Sequence, residues 1–509
     1  MIEEPPASIP LQFAPPERFA TVREFLAQTG YTAEAILNRL NFNGLHEILT
    51  GRRPAEGRPA ADCLDLLIQL FLLGDRVEEA VLEAHLPAPV RTAMEELGLL
   101  AGDQQTGGRY APVLLYPVKE LYIASDRFSN PDGSPFTAPD DVVYPAITKN
   151  TRAFLDLLPA TPCERLLDLC SGTAVAALDA VATGAARRAW AADIAERSTG
   201  FAEFNRRLNR LTGVEMLTGD VYEPVQGESF DRIVVHPPYV PSLETKWVFR
   251  DGGAEGESVT RKVVSGLPDH LQPGGRLYCL ALGAEHREES FEQRLRRWLG
   301  EKEGEFDLLL VELETYTPEK VAFLPVLAGQ RSHREYQKWR DLFARSGIER
   351  FVYGLIVLQR QETPRPAFTA RRTAGPRSGS PEIEWLLDWQ TRSAGADFRL
   401  SLLEARPLYS PHLELLVSHR PEGGSLTPAG FRLKTEYPFE MECEIQPWTA
   451  QLIARCDGGM TGRELFEFCR REGLIRGSVT AEDFTVLLQS LVAGGFVAVE
   501  GVSGTGAAE

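Results

Sequence analysis

The chain lacks most of what a secreted, membrane-bound or metal-dependent protein would need. Its seven cysteines, at positions 63, 163, 170, 279, 443, 456 and 469, are odd in number, dispersed, and form no C-x-x-C pair. That pattern excludes the disulfide frameworks of small secreted domains. Its eight histidines fall at no metal-ligand spacing, so no zinc site is expected. No stretch approaches the roughly 18 uninterrupted apolar residues that a bilayer-spanning helix requires. The opening MIEEPPASIPLQFAPPERFATVREFLAQTG starts acidic and has no apolar block, so no secretory signal is visible. The expectation is a cytoplasmic protein with no membrane partner. Basic charge is scarce as well, with 54 Lys and Arg against 72 Asp and Glu, a net charge of −18. Such an excess repels polyphosphate at long range and argues against broad nucleic-acid binding, although a local basic face is not excluded.

What the chain does have is length and rhythm. Its 509 residues suffice for about three domains of roughly 100–200 residues each. Residues 1–110 carry apolar residues at three-and-four spacing in ERFATVREFLAQTG, TAEAILNRL, PAADCLDLLIQLFLLG and VEEAVLEAHL. These predict a helical, winged-helix-like domain. Residues 111–144 read as a connector. From 145 to 361 short apolar runs (RLLDLC, RRAWAADI, VEMLTGD, FDRIVVHPP, GRLYCLALG) alternate with helical segments, which predicts an α/β domain. Its expected form is a mostly parallel, Rossmann-like sheet with helices on both faces. ETPRPAFTARRTAGPRSGSPE, 362–382, reads as a solvated linker. Residues 383–509 read as an α+β domain with strand-like pieces such as FRLSLLEA and a winged-helix-like end. The terminal modules lack a basic recognition helix, since TAEDFTVLLQSLVAGG has neither Lys nor Arg. They fit packing, homodimer formation or shaping of a substrate pocket better than groove binding.

The chemistry collects at four strand ends. Asp168-Leu-Cys170-Ser-Gly172-Thr-Ala follows RLL and precedes a helix, a strand–turn–helix that offers backbone N–H groups to a ligand at the sheet's carboxyl edge. Only one glycine of a G-x-G-x-x-G pattern is present, so this turn alone is a weak signal. Asp193, with Ile194 after it, ends the second strand twenty-five residues beyond Asp168, where a carboxylate can take ribose hydroxyls. Asp220 ends the third strand and Val221 follows. The fourth ends in His236-Pro237-Pro238-Tyr239. Each aspartate singly reads more readily as a helix cap. Together, at successive strand ends, they indicate a cofactor site.

This run resembles the class I S-adenosylmethionine-dependent methyltransferases over about 145–360. It is closest in pattern to the glutamine and adenine amino methyltransferases that carry Asn/Asp-Pro-Pro-Tyr. The release-factor glutamine methyltransferases share a Gly-Gly-x-x-Gly stretch, here Gly252, Gly253 and Gly256. The resemblance implies S-adenosylmethionine as cofactor, with Asp168, Cys170 and the Gly172 turn at its methionyl end and Asp193 and Ile194 at the ribose. Asp220 and Val221 would lie at the adenine, and Thr148 and Thr151 are candidate contacts to the methionyl tail. His236, Pro237 and Tyr239 would be catalytic, and His236, Pro238 and Tyr239 would touch substrate.

The fourth motif has a physical logic of its own. Methyl transfer from a sulfonium is an in-line displacement, so the protein chiefly aligns donor and acceptor. A side-chain acceptor and the first proline's carbonyl would hold the hydrogens of a planar amine, and the aromatic would pack on its face. Histidine in place of asparagine offers one acceptor nitrogen, and it is also able to take a proton. The sequence therefore points to methylation of a nitrogen or hydroxyl on a small-molecule or peptidyl substrate. A protein glutamine or N6-adenine-type nucleic-acid methyltransferase is the alternative within the class. From another class stands a catalytically inactive, cofactor-binding regulatory or scaffold protein.

Overall fold

Apolar stripes at helical spacing near the amino terminus fold as helices Pro16–Gln28, Ala33–Leu40, Cys63–Leu67, Glu79–His85 and Ala88–Glu96. Phe19, Val22, Leu26, Leu82 and Met94 form their buried faces. The computed structural model describes residues 4–6, 9–50, 60–102, 108–127, 139–242, 247–327 and 333–499. The chain divides into two compact units, 1–303 with 316–351, and 304–315 with 352–509.

In the first unit the stretch expected as a connector is folded. Strands β1 (Leu114–Val118) and β2 (Leu121–Ser125) form an antiparallel hairpin with Leu115 opposite Ala124 and Pro117 opposite Tyr122. Nine of these ten positions are buried, so the pair shows no alternation of apolar and polar residues. The free edge of β2 is satisfied by side chains. Asn205 accepts from Ala124 N–H at 2.7 Å and donates to its carbonyl at 3.1 Å, while Asn209 does the same for Tyr122 at 2.9 and 2.7 Å. Two amides one helical turn apart thus stand in for a neighbouring strand. An Arg197–Asp126 pair, with contacts of 2.8 and 2.5 Å, adds a partly buried tie beside it.

The alternating region follows its periodicities. Helix α1 (Lys149–Leu157) leads into β3 (Cys163–Leu169), α2 (Val175–Thr183), β4 (Ala186–Asp193), α3 (Glu196–Leu208), β5 (Val214–Thr218) and β6 (Phe230–Val235). Helix α4 (Ser258–His270), β7 (Leu271–His286) and α5 (Phe291–Trp298) complete the region. The five strands are parallel in the order β7-β6-β3-β4-β5. Leu166, Leu167, Asp168 and Leu169 are buried in succession, as expected when both faces of a parallel sheet are covered. The order reverses at β3, whose neighbours are β4 on one side and β6 on the other. This makes a Rossmann-like switch point with a crevice at the carboxyl ends of β3 and β6.

In the second unit, β8 (Phe306–Tyr316) and β9 (Ile348–Arg360) lie in one sheet with β10 (Thr369–Thr373), which pairs parallel with β8, Leu308 opposite Thr369. Strand β10 falls inside the segment expected as a solvated linker, and that expectation is corrected. Asp307, fully buried, accepts from Arg365 through both oxygens and from Phe368 N–H at 3.1 Å. A buried carboxylate demands this compensation, and the arginine-rich composition supplies it. FRLSLLEA is helical within Ala396–Glu404 rather than strand-like. Among the described residues no helix is long and apolar enough to cross a membrane.

Candidate active site

Asp168, one residue before the end of β3, has 3% of its surface exposed, and its Oδ2 accepts the Ala177 N–H from the first turn of α2 at 3.1 Å. Burial raises its carboxyl to about 7, opposed by that hydrogen bond and reinforced by the nearby Asp193 charge. Asp193, at the end of β4, accepts from Gly172 N–H at 2.9 Å and from Ala195 N–H at 3.0 Å. Burial raises its carboxyl as well. It therefore shapes the turn after β3 while capping the start of α3. The turn is unusual in backbone. Cys170, Gly172 and Ala174 have φ of +54°, +52° and +59°, and Val221 after β5 has +54°. A left-handed β-branched residue is a costly conformation, and such strain clusters at binding sites. A Cβ added to Gly172 would meet nothing within 4 Å, so the turn borders open space.

The other expected residues fall around that turn in different ways. Ser171 Oγ is buried without a protein partner. Ile194 is 55% exposed, an apolar surface just past the second strand end. Asp220 bonds Lys262 Nζ at 2.5 Å, a pairing that spacing did not anticipate. Burial, with the surrounding carboxylates, pushes the Cys170 thiol well above its ordinary range, which suits a packing group and not a nucleophile. Thr148 is the N-cap of α1: its hydroxyl accepts Thr151 N–H at 3.2 Å and lies 3.0 Å from the Thr151 hydroxyl.

At the end of β6 the His236 ring lies between two aromatics, 5.2 Å from the Phe154 centroid and 5.6 Å from Tyr239. The residue keeps partial exposure, but its Nε2 is sealed and has no hydrogen-bond partner. Burial lowers the imidazole to about 4, so the ring is neutral at physiological pH. Asn150 donates to the Tyr239 hydroxyl at 2.6 Å. Asn150 and Phe154, four residues apart on α1, thus address the two aromatic members of the motif. Neither was found from sequence. Asn150 and Tyr239 are separated by 89 positions, and no local pattern marks such a contact.

The glycines beyond Tyr239 hold the loop in place. Val240 N–H bonds Arg250 O and Gly252 N–H bonds Val240 O, both at 2.9 Å. A Cβ on Gly252 would lie 2.7 Å from the Pro238 carbonyl oxygen, and one on Gly256 2.3 Å from that of Tyr239. Gly256 also has φ of +84°. Only residues without a side chain permit this approach. Behind them Glu257 accepts from Ala284 N–H at 2.6 Å and pairs with the buried Arg294.

Residues 144–304 match the family model of the methyltransferase small domain. The ribosomal protein uL3 glutamine methyltransferase of Bradyrhizobium diazoefficiens is 28% identical over 170 residues, covering 30% of this chain and 51% of that protein. The release factor glutamine methyltransferase of Gloeobacter violaceus is 29% identical over 149 residues, covering 24% and 52%. The chain thus spans about half the length of these curated relatives. Among solved structures, a methyltransferase from Pyrococcus furiosus aligns at 17% identity and a TM-score of 0.28, over 44% of this chain and 89% of that one.

Proposed function

We propose that the chain is an S-adenosylmethionine-dependent methyltransferase whose His-Pro-Pro-Tyr loop positions a nitrogen, or failing that a hydroxyl, of a peptidyl or small-molecule acceptor. The names of the curated relatives specify glutamine in proteins, which favours a peptidyl amide. The observation that carries the reading is the neutral, unpartnered Nε2 of His236 one strand away from the strained turn after β3.

The turn fits the donor chemically. The buried Asp168 suits the cationic amino end of a methionyl group, and the orphaned Ser171 hydroxyl and the open space over Gly172 adjoin it. Asp193, at the next strand end, is placed to take ribose hydroxyls, and the exposed Ile194 offers an apolar face to an adenine. Asp220 and Val221 stand at the next strand end. Thr148 and Thr151 would act by fixing the start of α1. When bound, the cofactor supplies an electrophilic methyl on a sulfonium.

The remaining work is alignment. A neutral imidazole takes one hydrogen of the acceptor, the Pro237 carbonyl takes another, and Tyr239, held by Asn150, packs on the acceptor's face. An imidazole lowered to about 4 is a poor proton store at neutral pH, so His236 positions the acceptor, and the proton shed as the methyl moves from sulfur to the acceptor passes to solvent. Calorimetry with S-adenosylmethionine and S-adenosylhomocysteine tests the donor site. Saturable binding of both is expected, and binding of neither would overturn the proposal.

A further inference from the structure

The loop that pairs with Val240 carries a guanidinium with no visible employment. Residues 247–251 form a turn closed on itself: Asp251 N–H and Arg250 N–H bond the Trp247 carbonyl, and Asp251 Oδ2 accepts Trp247 N–H at 2.9 Å. The buried Asp251 carboxylate is thereby engaged by the backbone that presents Arg250. The Arg250 guanidinium lies over the Trp247 ring, 5.2 Å from its centroid. It is half-buried and has no carboxylate or other side-chain hydrogen-bond partner among the described residues. Next to it Phe249 stacks on Tyr144, 4.8 Å between centroids and 13° between planes, and Tyr144 is 42% exposed. Among the described residues Asp251 and the Tyr144 hydroxyl act on Arg250 through charge, and desolvation outweighs both and lowers its affinity for a proton. The segment is tied to the acceptor loop one residue past Tyr239, through the Val240–Arg250 and Gly252–Val240 hydrogen bonds. In a chain of net charge −18, a half-buried arginine without a carboxylate partner among the described residues has charge to offer a ligand.

We propose that Arg250 anchors a carboxylate subsite at the rim of the acceptor site, so that the methyl acceptor carries an acidic group near the atom that is methylated. The inference rests on the acceptor role of the His-Pro-Pro-Tyr loop and narrows its substrate class. A guanidinium stacked on one face by an indole keeps its in-plane N–H fork free, the geometry that takes a planar carboxylate through two parallel bonds. The Tyr144–Phe249 stack beside it offers apolar surface for the stem that carries the acid.

The test is chemical footprinting of the full chain, free and saturated with S-adenosylhomocysteine. Phenylglyoxal labels guanidiniums, and peptide mass spectrometry reads each site. Arg250 should label ahead of the ion-paired Arg197 and Arg294. Glutarate should slow its labelling by at least about fivefold, the scale of a partly desolvated ion pair, while the neutral isostere glutaramide leaves it unchanged. Equal protection by glutaramide, or none by glutarate, overturns the subsite. Protection by inorganic phosphate without protection by glutarate overturns the carboxylate assignment in favour of a phosphate. A second measurement compares calorimetric affinities for acetyl-Gln-Glu-amide and acetyl-Gln-Gln-amide. Wild type should prefer the acidic peptide by about fivefold and Arg250→Gln should not; wild-type indifference sinks the proposal. Absence of S-adenosylhomocysteine binding would strike the donor reading alone, because glutarate protection of the free chain is read independently.

Discussion

At the scale of single residues, two perturbed groups of the site make opposite statements about pH. His236 is lowered to about 4 from an unfolded value near 6.5, so between those values the unfolded chain binds more protons. Its contribution to stability is therefore complete above pH 6.5 and is lost as pH falls toward 4. Activity at saturating donor should show no inflection from this group between pH 6 and 8. His236→Asn should keep activity within about tenfold, whereas a loss of roughly 100-fold or more with a shifted pH profile would assign it a base role. Asp168 is raised to about 7, so the native chain binds the extra proton and loses stability as pH rises from 4 through 7. Asp168→Asn keeps an acceptor for Ala177 N–H yet removes the buried charge. It should be more stable than wild type at pH 8 by about 1–3 kcal/mol in denaturant titration, while donor affinity falls by about 30-fold or more. A variant that lost stability and kept its affinity would reduce Asp168 to a helix cap. The strand ends that carry Asp168, Asp193, Asp220 and His236 were legible because an apolar run marks each strand and the polar residues closing it mark its end. Asn150 was not, because a residue on α1 meets Tyr239 only through tertiary packing.

At the scale of elements, the His-Pro-Pro-Tyr loop depends on close backbone approach. Gly256→Ala places a methyl 2.3 Å from the Tyr239 carbonyl and forces a left-handed alanine. The conformation alone costs about 1 kcal/mol, and the clash displaces the loop. Turnover per acceptor should fall by at least about tenfold while thermal unfolding moves only a few degrees; unaltered turnover would mean that the loop does not position the acceptor. The hairpin β1–β2 makes a different dependence visible. Asn205→Ala leaves the buried N–H and carbonyl of Ala124 without partners, at a cost of about 2–4 kcal/mol. Amide exchange at Ala124 should accelerate far more than at the β3–β4 ladder. Equal acceleration at both would show that the hairpin is not held locally. This hairpin escaped the sequence because strands buried on both sides lose their period-two signature, leaving a run that reads as connector. FRLSLLEA failed in the other direction, since a short apolar run lacks the length to separate helix from strand.

At the scale of the whole chain, composition misled where charge and structure part company. Residues 362–382 carry four arginines and four prolines, the composition of a tether, yet Arg365 is committed to Asp307 and Arg371 lies 3.6 Å from Glu312. The acidic excess of the chain explains why: arginines are scarce relative to carboxylates, and a buried Asp307 with 0% exposure captures one. Removing one partner of such a pair costs far more than removing both, because the survivor stays charged in a medium that cannot solvate it. Arg365→Met should therefore destabilise the chain by about 3 kcal/mol or more. Adding Asp307→Asn should return a good part of that, since the amide oxygen can still accept from Gln361 and Phe368. The same packing makes a protease prediction. A solvated tether would be cut first at Arg371 and Arg372, whereas a strand paired along Leu308–Glu312 exposes neither backbone to an active-site cleft. Under brief trypsin digestion the wild-type chain should resist cleavage there, and Arg365→Met should open those bonds well before global unfolding. Early cleavage of the wild type at either bond would restore the tether.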